Sequence, residues 1–160
     1  RTRLDFDEAF GTVINRYCCQ AVIGHPLTPF GDGGQTRGFL PLRDSMQCLT
    51  LALENPPAKG EYRVFNQFAQ TYTVTELAYK VQEMSSLLGM NVEVEPIDNP
   101  RLEPERHYYN PDHQHLFDLG YRPSSLEDEL SFMLFDLQQH RRRIEDHRHV
   151  IIPEIKWNRT

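Results

Sequence analysis

Between Ala9 and Gly24 the apolar side chains fall at Phe10, Val13, Ile14, Tyr17, Cys18, Ala21 and Val22, a spacing of three and four that gathers them on one side of a helix. Asp5 and Asp7 precede the run and Gly24 stops it, so the pattern predicts a first helix of about four turns. Residues 27 to 30 then read as extended, followed by a glycine-rich turn and a second extended piece at Gly38 to Leu42. Asp44 or Ser45 is the expected cap of a helix from Met46 to Glu54, closed by Asn55-Pro56-Pro57. Glu61 to Asn66 alternates with period two and is the clearest strand pattern in the chain. Thr73 and Glu76 form a capping box for a helix reaching Leu88, where Gly89 ends it. Asn91 to Glu95 is again extended. Asn110-Pro111 reads as the opening of a short helix that stops at Gly120. Ser124 or Ser125 caps a last helix whose Leu126, Leu130, Met133, Leu134 and Leu137 make one apolar stripe.

Strands separated by helices predict an α/β fold, a small mixed sheet with flanking helices, and residues 1–160 read as one domain. The stretches 55 to 60 and 96 to 106 are the linker-like parts, and no internal repeat occurs. An apolar content of 39% over 160 residues suffices for a core. The net charge of −6 speaks against a nucleic-acid binder, which needs a basic face to displace counterions, and the basic run His140 to Arg143 is too short to change that. No apolar run approaches the roughly 20 residues a membrane helix needs, and no secretory leader pattern is present. Cys18, Cys19 and Cys48 are odd in number and lack a C-x-x-C arrangement, which predicts reduced, buried thiols and an intracellular setting. The chain opens Arg1-Thr2-Arg3 without a methionine, so it is expected to be a piece of a longer polypeptide.

Candidate chemistry concentrates in residues 28 to 39, Thr-Pro-Phe-Gly-Asp-Gly-Gly-Gln-Thr-Arg-Gly-Phe. Gly31, Gly33 and Gly34 permit positive φ and close backbone approach, while Pro29 pre-sets the incoming strand. Arg37, placed after Gln35-Thr36 and before Gly38, offers a planar fork of donors suited to two phosphate oxygens, and Phe30 offers a face on which a base stacks. The segment reads as half of a nucleotide-sugar pocket; a plain hairpin turn with a solvated arginine and a core phenylalanine is the competing reading. A second candidate is Arg101 with Glu103 and Glu105 on a proline-punctuated loop, an arginine for a diphosphate and a carboxylate for ribose hydroxyls, against the alternative of a solvated charged loop.

His113-Gln-His115 and His147-Arg-His149 lack the three or four convergent donors of a metal site, so no metal is expected. Tyr108 and Tyr109 are read as packing groups, as are the adjacent thiols. The chain contains no dinucleotide-binding glycine turn, no P-loop, no nucleophile elbow and no Tyr-x-x-x-Lys pair, so no catalytic residue is assigned within it.

The strings Pro26-Leu-Thr-Pro-Phe-Gly-Asp-Gly-Gly-Gln-Thr-Arg-Gly-Phe39, Arg43-Asp44, Glu61-Tyr-Arg-Val-Phe-Asn-Gln-Phe68, Asn99-Pro-Arg-Leu-Glu103, His107-Tyr-Tyr-Asn110 and Ile152-Pro-x-Ile-x-Trp157 resemble the C-terminal half of the UDP-sulfoquinovose synthase family. That family belongs to the extended short-chain dehydrogenases/reductases, in which a nicotinamide-binding Rossmann half joins a smaller substrate domain. The resemblance implies that this chain is the substrate domain, with the Rossmann half and its bound NAD outside it. It implies a reaction of UDP-glucose with sulfite that gives UDP-sulfoquinovose, the sulfolipid head-group donor, in a bacterial cytoplasm or plastid stroma. NAD takes a hydride from the sugar and later returns it. The implied substrate-binding residues are Phe30 beside the uracil, Gln35, Thr36, Arg37 and Gly38, and Arg101 as the second pyrophosphate arginine. Glu103 is the ribose candidate, with Glu105 left open because Pro104 stands where related epimerases carry an acid. Pro41 departs from the family pattern, at a place where a sheet amide is expected. No nucleic acid or membrane is implied as a partner, and a homodimer is left open. The alternatives are a nucleotide-sugar epimerase or dehydratase of the same superfamily, or a non-catalytic binding module that docks through the last helix.

Overall fold

Three helices carry the core. The computed structural model describes residues 11–99, Tyr109 and 111–151. Helix α1 (Val13–Ile23) enters from Thr12, and Gly24 closes it at φ 73° with its amide on the carbonyls of Ala21 and Gln20. It packs against α3 (Val74–Leu87) and α5 (Leu126–Gln138). Tyr17, Cys18, Val22, Leu77, Val81, Leu130 and Leu134 are fully buried between them. Each large aliphatic side chain so placed contributes about 1.5–3 kcal/mol relative to its exposed state. The stripe of the last helix is thus spent on the core. The capping box is present in full, with Thr73 Oγ1 accepting from the Glu76 amide and Glu76 Oε2 accepting from the Thr73 amide. Ser125, not Ser124, caps α5.

The two extended segments at 27–31 and 93–97 run parallel. The Leu27 amide donates to Glu93 O at 2.8 Å, the Glu95 amide to Leu27 O at 2.9 Å, the Ile97 amide to Pro29 O at 2.9 Å and the Gly31 amide to Ile97 O at 2.8 Å. A continuous ladder would also need an amide from residue 29; it is proline, and the pairing breaks into bridges at Leu27–Val94 and Phe30–Ile97. The regular sheet is a separate antiparallel pair, β1 (Thr36–Phe39) and β2 (Gln70–Thr73). Sequence pattern marked β1 two residues late and missed β2, whose polar four residues carry no apolar alternation.

Helix α2 (Leu42–Glu54) starts four residues earlier than expected, and Pro41 is its N-cap. Pro41 therefore follows the strand and withholds no sheet bond. Neither Asp44 nor Ser45 caps the helix. Asp44 is 1% exposed inside the first turn, and accepts from Tyr121 Oη at 2.8 Å, the Ser124 amide at 2.9 Å and Ser124 Oγ at 2.6 Å. Around this knot Cys48, Leu116 and Tyr121 form a small second cluster with α4 (Gln114–Asp118). Helix α4 opens at His113 rather than at Asn110-Pro111; Gly120 follows it at φ 99°. Residues 61–66 are the clearest miss. They form no strand, and Tyr62 and Val64 are exposed. Period two needs a neighbouring strand to become a sheet, and none of the described residues supplies one there. The outer face of α2 is likewise bare, with Leu42, Met46, Leu49 and Leu53 at 63, 62, 46 and 82% exposure. Two short helices, α6 (Arg141–Asp146) and α7 (Arg148–Ile151), follow α5 and seat Ile144 and Ile151 in the core.

Candidate nucleotide-sugar site

One face of α1 builds the first wall. Gln20 is fully buried, and its carboxamide grips Thr28 twice, donating to Thr28 Oγ1 at 2.8 Å and accepting from the Thr28 amide at 3.2 Å. Arg16, one turn earlier on the same face, donates from Nη2 to Thr28 O at 2.8 Å and lies over the Phe30 ring at 4.1 Å from its centroid. The sequence signal for both was available: two long polar side chains, four apart, inside a helix whose one other polar residue is Asn15.

The glycine turn is fastened to the start of α3. Gly31 and Gly33 adopt φ of 60° and 65°, whereas Gly34 does not enter the positive region. The Gly34 amide donates to Asp32 Oδ1, the Thr75 amide donates to Gly33 O and the Thr75 hydroxyl donates to Asp32 O. A Cβ at Gly33 would stand 1.9 Å from Thr75 Oγ1, so position 33 requires glycine for close approach as well as for its backbone angle. The Val74 amide then takes Gln35 O at 3.1 Å, and β1 begins.

Along β1 the side chains alternate, which puts Gln35, Arg37 and Phe39 on one face and Thr36 and Gly38 on the other. Arg37 sits opposite Tyr72 of β2, half-buried, with Nη1 donating to Thr36 O at 3.0 Å. Gln35 is 2% exposed, and neither end of its carboxamide has a hydrogen-bond partner among the described residues. Such a group costs about 1–3 kcal/mol until something pairs with it. Thr36 faces Thr73 across the strands. The side-chain face of Gly38 is filled by Phe68, whose ring would lie 3.1 Å from a Cβ there. Arg101 and Glu103 lie outside the described residues, as does Glu105; Tyr109 is exposed.

Beyond β2 lies an open cleft of about 600 Å³ lined by Phe68, Gln70, Thr71, Tyr72, Lys80, His113 and Glu127. Its charges are matched. Lys80 Nζ is 2.5 Å from Glu127 Oε1, and this bond raises the lysine pKa and lowers that of the carboxylate. The Tyr72 hydroxyl donates to Gln70 Oε1, and burial raises its pKa. Deep in the core, burial pushes the Cys19 thiol up to about 11 and holds Cys18 well above its ordinary value, so neither is a thiolate near neutral pH. All three cysteines are free and buried, as the sequence predicts.

A UDP-sulfoquinovose synthase from Sulfolobus acidocaldarius is 52% identical over 160 residues, covering 99% of this chain and 41% of that protein. The chain resembles the C-terminal half of UDP-sulfoquinovose synthase. The chloroplastic UDP-sulfoquinovose synthase of Spinacia oleracea is 46% identical over 158 residues, 98% of this chain and 32% of that protein. The chain thus spans about two fifths or less of the length of these relatives. No protein-family model matches it. Among solved structures, a UDP-glucose 4-epimerase of Thermotoga maritima with UDP-glucose aligns with TM-score 0.66 and 22% identity, over 84% of this chain and 42% of that one. A UDP-glucuronic acid 4-epimerase of Bacillus cereus in complex with UDP-glucuronic acid and NAD aligns with TM-score 0.62 and 25% identity, over 81% of this chain and 40% of that one. The fold is that of the matching part of these epimerases, which are extended short-chain dehydrogenases/reductases. No helix among the described residues is long and apolar enough to cross a membrane.

Proposed function

We propose that this chain is the substrate domain of an enzyme that converts UDP-glucose and sulfite to UDP-sulfoquinovose, and that its own part is to hold the UDP group. The observation that carries the reading is 52% identity to a synthase of that name over 99% of the chain, and beside it the Phe30 to Phe39 segment is a wall fastened to the start of α3 rather than a loose loop. Phe30 takes the uracil, Arg37 and Arg101 take the diphosphate, and the orphan carboxamide of Gln35, on the Arg37 face of β1, completes the contact, whereas Thr36 and Gly38 lie on the opposite face of the strand. Glu103 is the ribose acceptor. Charge-assisted bonds from a guanidinium are about twice as strong as neutral ones, which suits a doubly charged diphosphate.

The described residues do not offer the glycine-rich turn that NAD needs. The glycine turn at 31–34 is occupied by Thr75, and no helix among the described residues opens on a glycine-rich dinucleotide turn. NAD and the catalytic groups are therefore assigned to the remainder of the polypeptide. The bare face of α2 and the unpaired strand pattern at 61–66 are where that remainder is expected to pack.

Two measurements test the reading. In the complete polypeptide, Arg37→Ala and Arg101→Ala should each cost roughly 1.5–3 kcal/mol of UDP affinity by titration calorimetry. Unchanged affinity in both removes the site. Turnover of UDP-glucose with sulfite should yield UDP-sulfoquinovose; a 4-epimerised sugar instead would favour the epimerase alternative, which the fold neighbours support. For the non-catalytic alternative, the leucine stripe of α5 is buried and only Phe132 and Phe135 are left as large exposed apolar side chains of that helix. Of the two settings, a bacterial cytoplasm or a plastid stroma, the chloroplastic relative supports the second.

A further inference from the structure

We propose that Arg16 is a positioning residue of the nucleoside pocket: stacked against Phe30 and bonded to the carbonyl of Thr28, it fixes the aromatic ring against which a pyrimidine base is held. The inference rests on the UDP reading above and deepens it, since it concerns how the base, rather than the diphosphate, is selected.

The geometry points to Arg16 on three counts. Its guanidinium does two jobs at once, lying 4.1 Å from the Phe30 centroid and donating to Thr28 O at 2.8 Å, so ring and backbone are set by one rigid plane. The next turn of the same helix face repeats the investment. Gln20, fully buried, spends both ends of its carboxamide on Thr28. A buried amide is costly unless fully bonded, and a hydrophobic residue would fill the same volume without that demand. Two polar side chains thus converge on a segment of three residues, whose other edge is already tied to 93–97 by backbone bonds. The result is a ring whose torsions are fixed before any ligand arrives. Pre-organisation of this kind lowers the ordering cost of binding for the group that touches the ring, and leaves groups bound elsewhere unaffected.

The experiment is a titration of UDP, ADP and inorganic diphosphate into the complete polypeptide and its variants. Arg16→Met keeps the length and removes the cation; it should weaken UDP roughly 3- to 20-fold, as expected for loss of a desolvated cation–π contact, and lower the preference for UDP over ADP, while inorganic diphosphate stays within about twofold. Arg16→Lys restores a cation near the ring but not the planar fork, and should recover only part of the lost UDP affinity. Arg37→Ala serves as the control for the underlying reading and should weaken UDP and inorganic diphosphate together. Unchanged UDP affinity in Arg16→Met overturns the inference, and so does a parallel loss of both ligands or a lysine variant no better than methionine. If the inference alone is wrong, Arg37→Ala still loses both ligands; if wild type fails to bind UDP, the site reading and the inference fall together.

Discussion

The α1–α3–α5 core and the α2 wing are built from similar proportions of apolar residues, yet only the first buries them. In the core, Tyr17, Leu77, Val81, Leu130 and Leu134 are at 0% exposure, and each helix meets the two others. In the wing, three buried side chains and an acid knot at Asp44 hold one side of α2, while four large apolar groups on the other side face water. A helix with two apolar faces is one that expects covering on both. The difference teaches that the core closes on itself, whereas α2 carries a second apolar face that none of the described residues covers.

Substitutions should separate the two regions. The largest effect belongs to the core: Leu134→Ala, at a fully buried position between helices, should cost about 2–5 kcal/mol in urea unfolding of the isolated chain. A loss below 1 kcal/mol would show that the core is loosely packed. Gly33→Ala comes next, because the methyl group meets Thr75 Oγ1 and the backbone stays at φ 65°; about 2–3 kcal/mol is expected from overpacking and strain together. If Gly33→Ala melts like wild type, the junction between turn and helix is softer than described.

Alkali should also strike the core first. Cys18 and Cys19 have folded-state pKa values above the ordinary thiol range, so the native state keeps protons that the unfolded state gives up. Their contributions are therefore complete below the ordinary thiol pKa; that of Cys19 declines as pH rises through about 11, and that of Cys18 declines in the same direction. Each such group steepens the loss by about 1.4 kcal/mol per pH unit within its window. Cys19→Ala should flatten that slope in a series of urea melts; an unaltered slope would show that the thiol is not the group responsible.

The smallest effect is the most telling for the wing. Leu53→Ser, at 82% exposure, should change the stability of this chain by no more than about 0.5 kcal/mol. In the complete polypeptide the same substitution should cost about 1 kcal/mol or more, as a buried leucine does. Equal effects in both would mean that the face of α2 stays open to water.

Much of the fold was legible because it depends on local patterns. The capping box at Thr73, the stripe of α5 and the end of α1 at Gly24 are each written in a few adjacent residues, and each stands as expected. The failures share one cause, which is dependence on a partner far away in sequence. Residues 61–66 have the alternation of a strand but no neighbour among the described residues. β2 has a neighbour but no alternation, since β1 alone aligns it. Asp44 looks like a cap because its type favours caps, but Tyr121 and Ser124, nearly eighty residues later, claim its oxygens. At the candidate site the sequence marked the residues facing the ligand in the UDP reading, Phe30, Gln35 and Arg37. It did not mark those standing behind them, because Arg16 and Gln20 act across helix and strand rather than along the chain.

The fastening of Thr75 to Gly33 makes a loop and a helix start into one piece of machinery. Any exchange of the 31–34 loop with that of another protein would have to bring the matching residue at 75 with it, since the space one requires is the space the other fills. Two positions far apart in the chain therefore share a single steric decision, and drift at either is bounded by what stands at its counterpart.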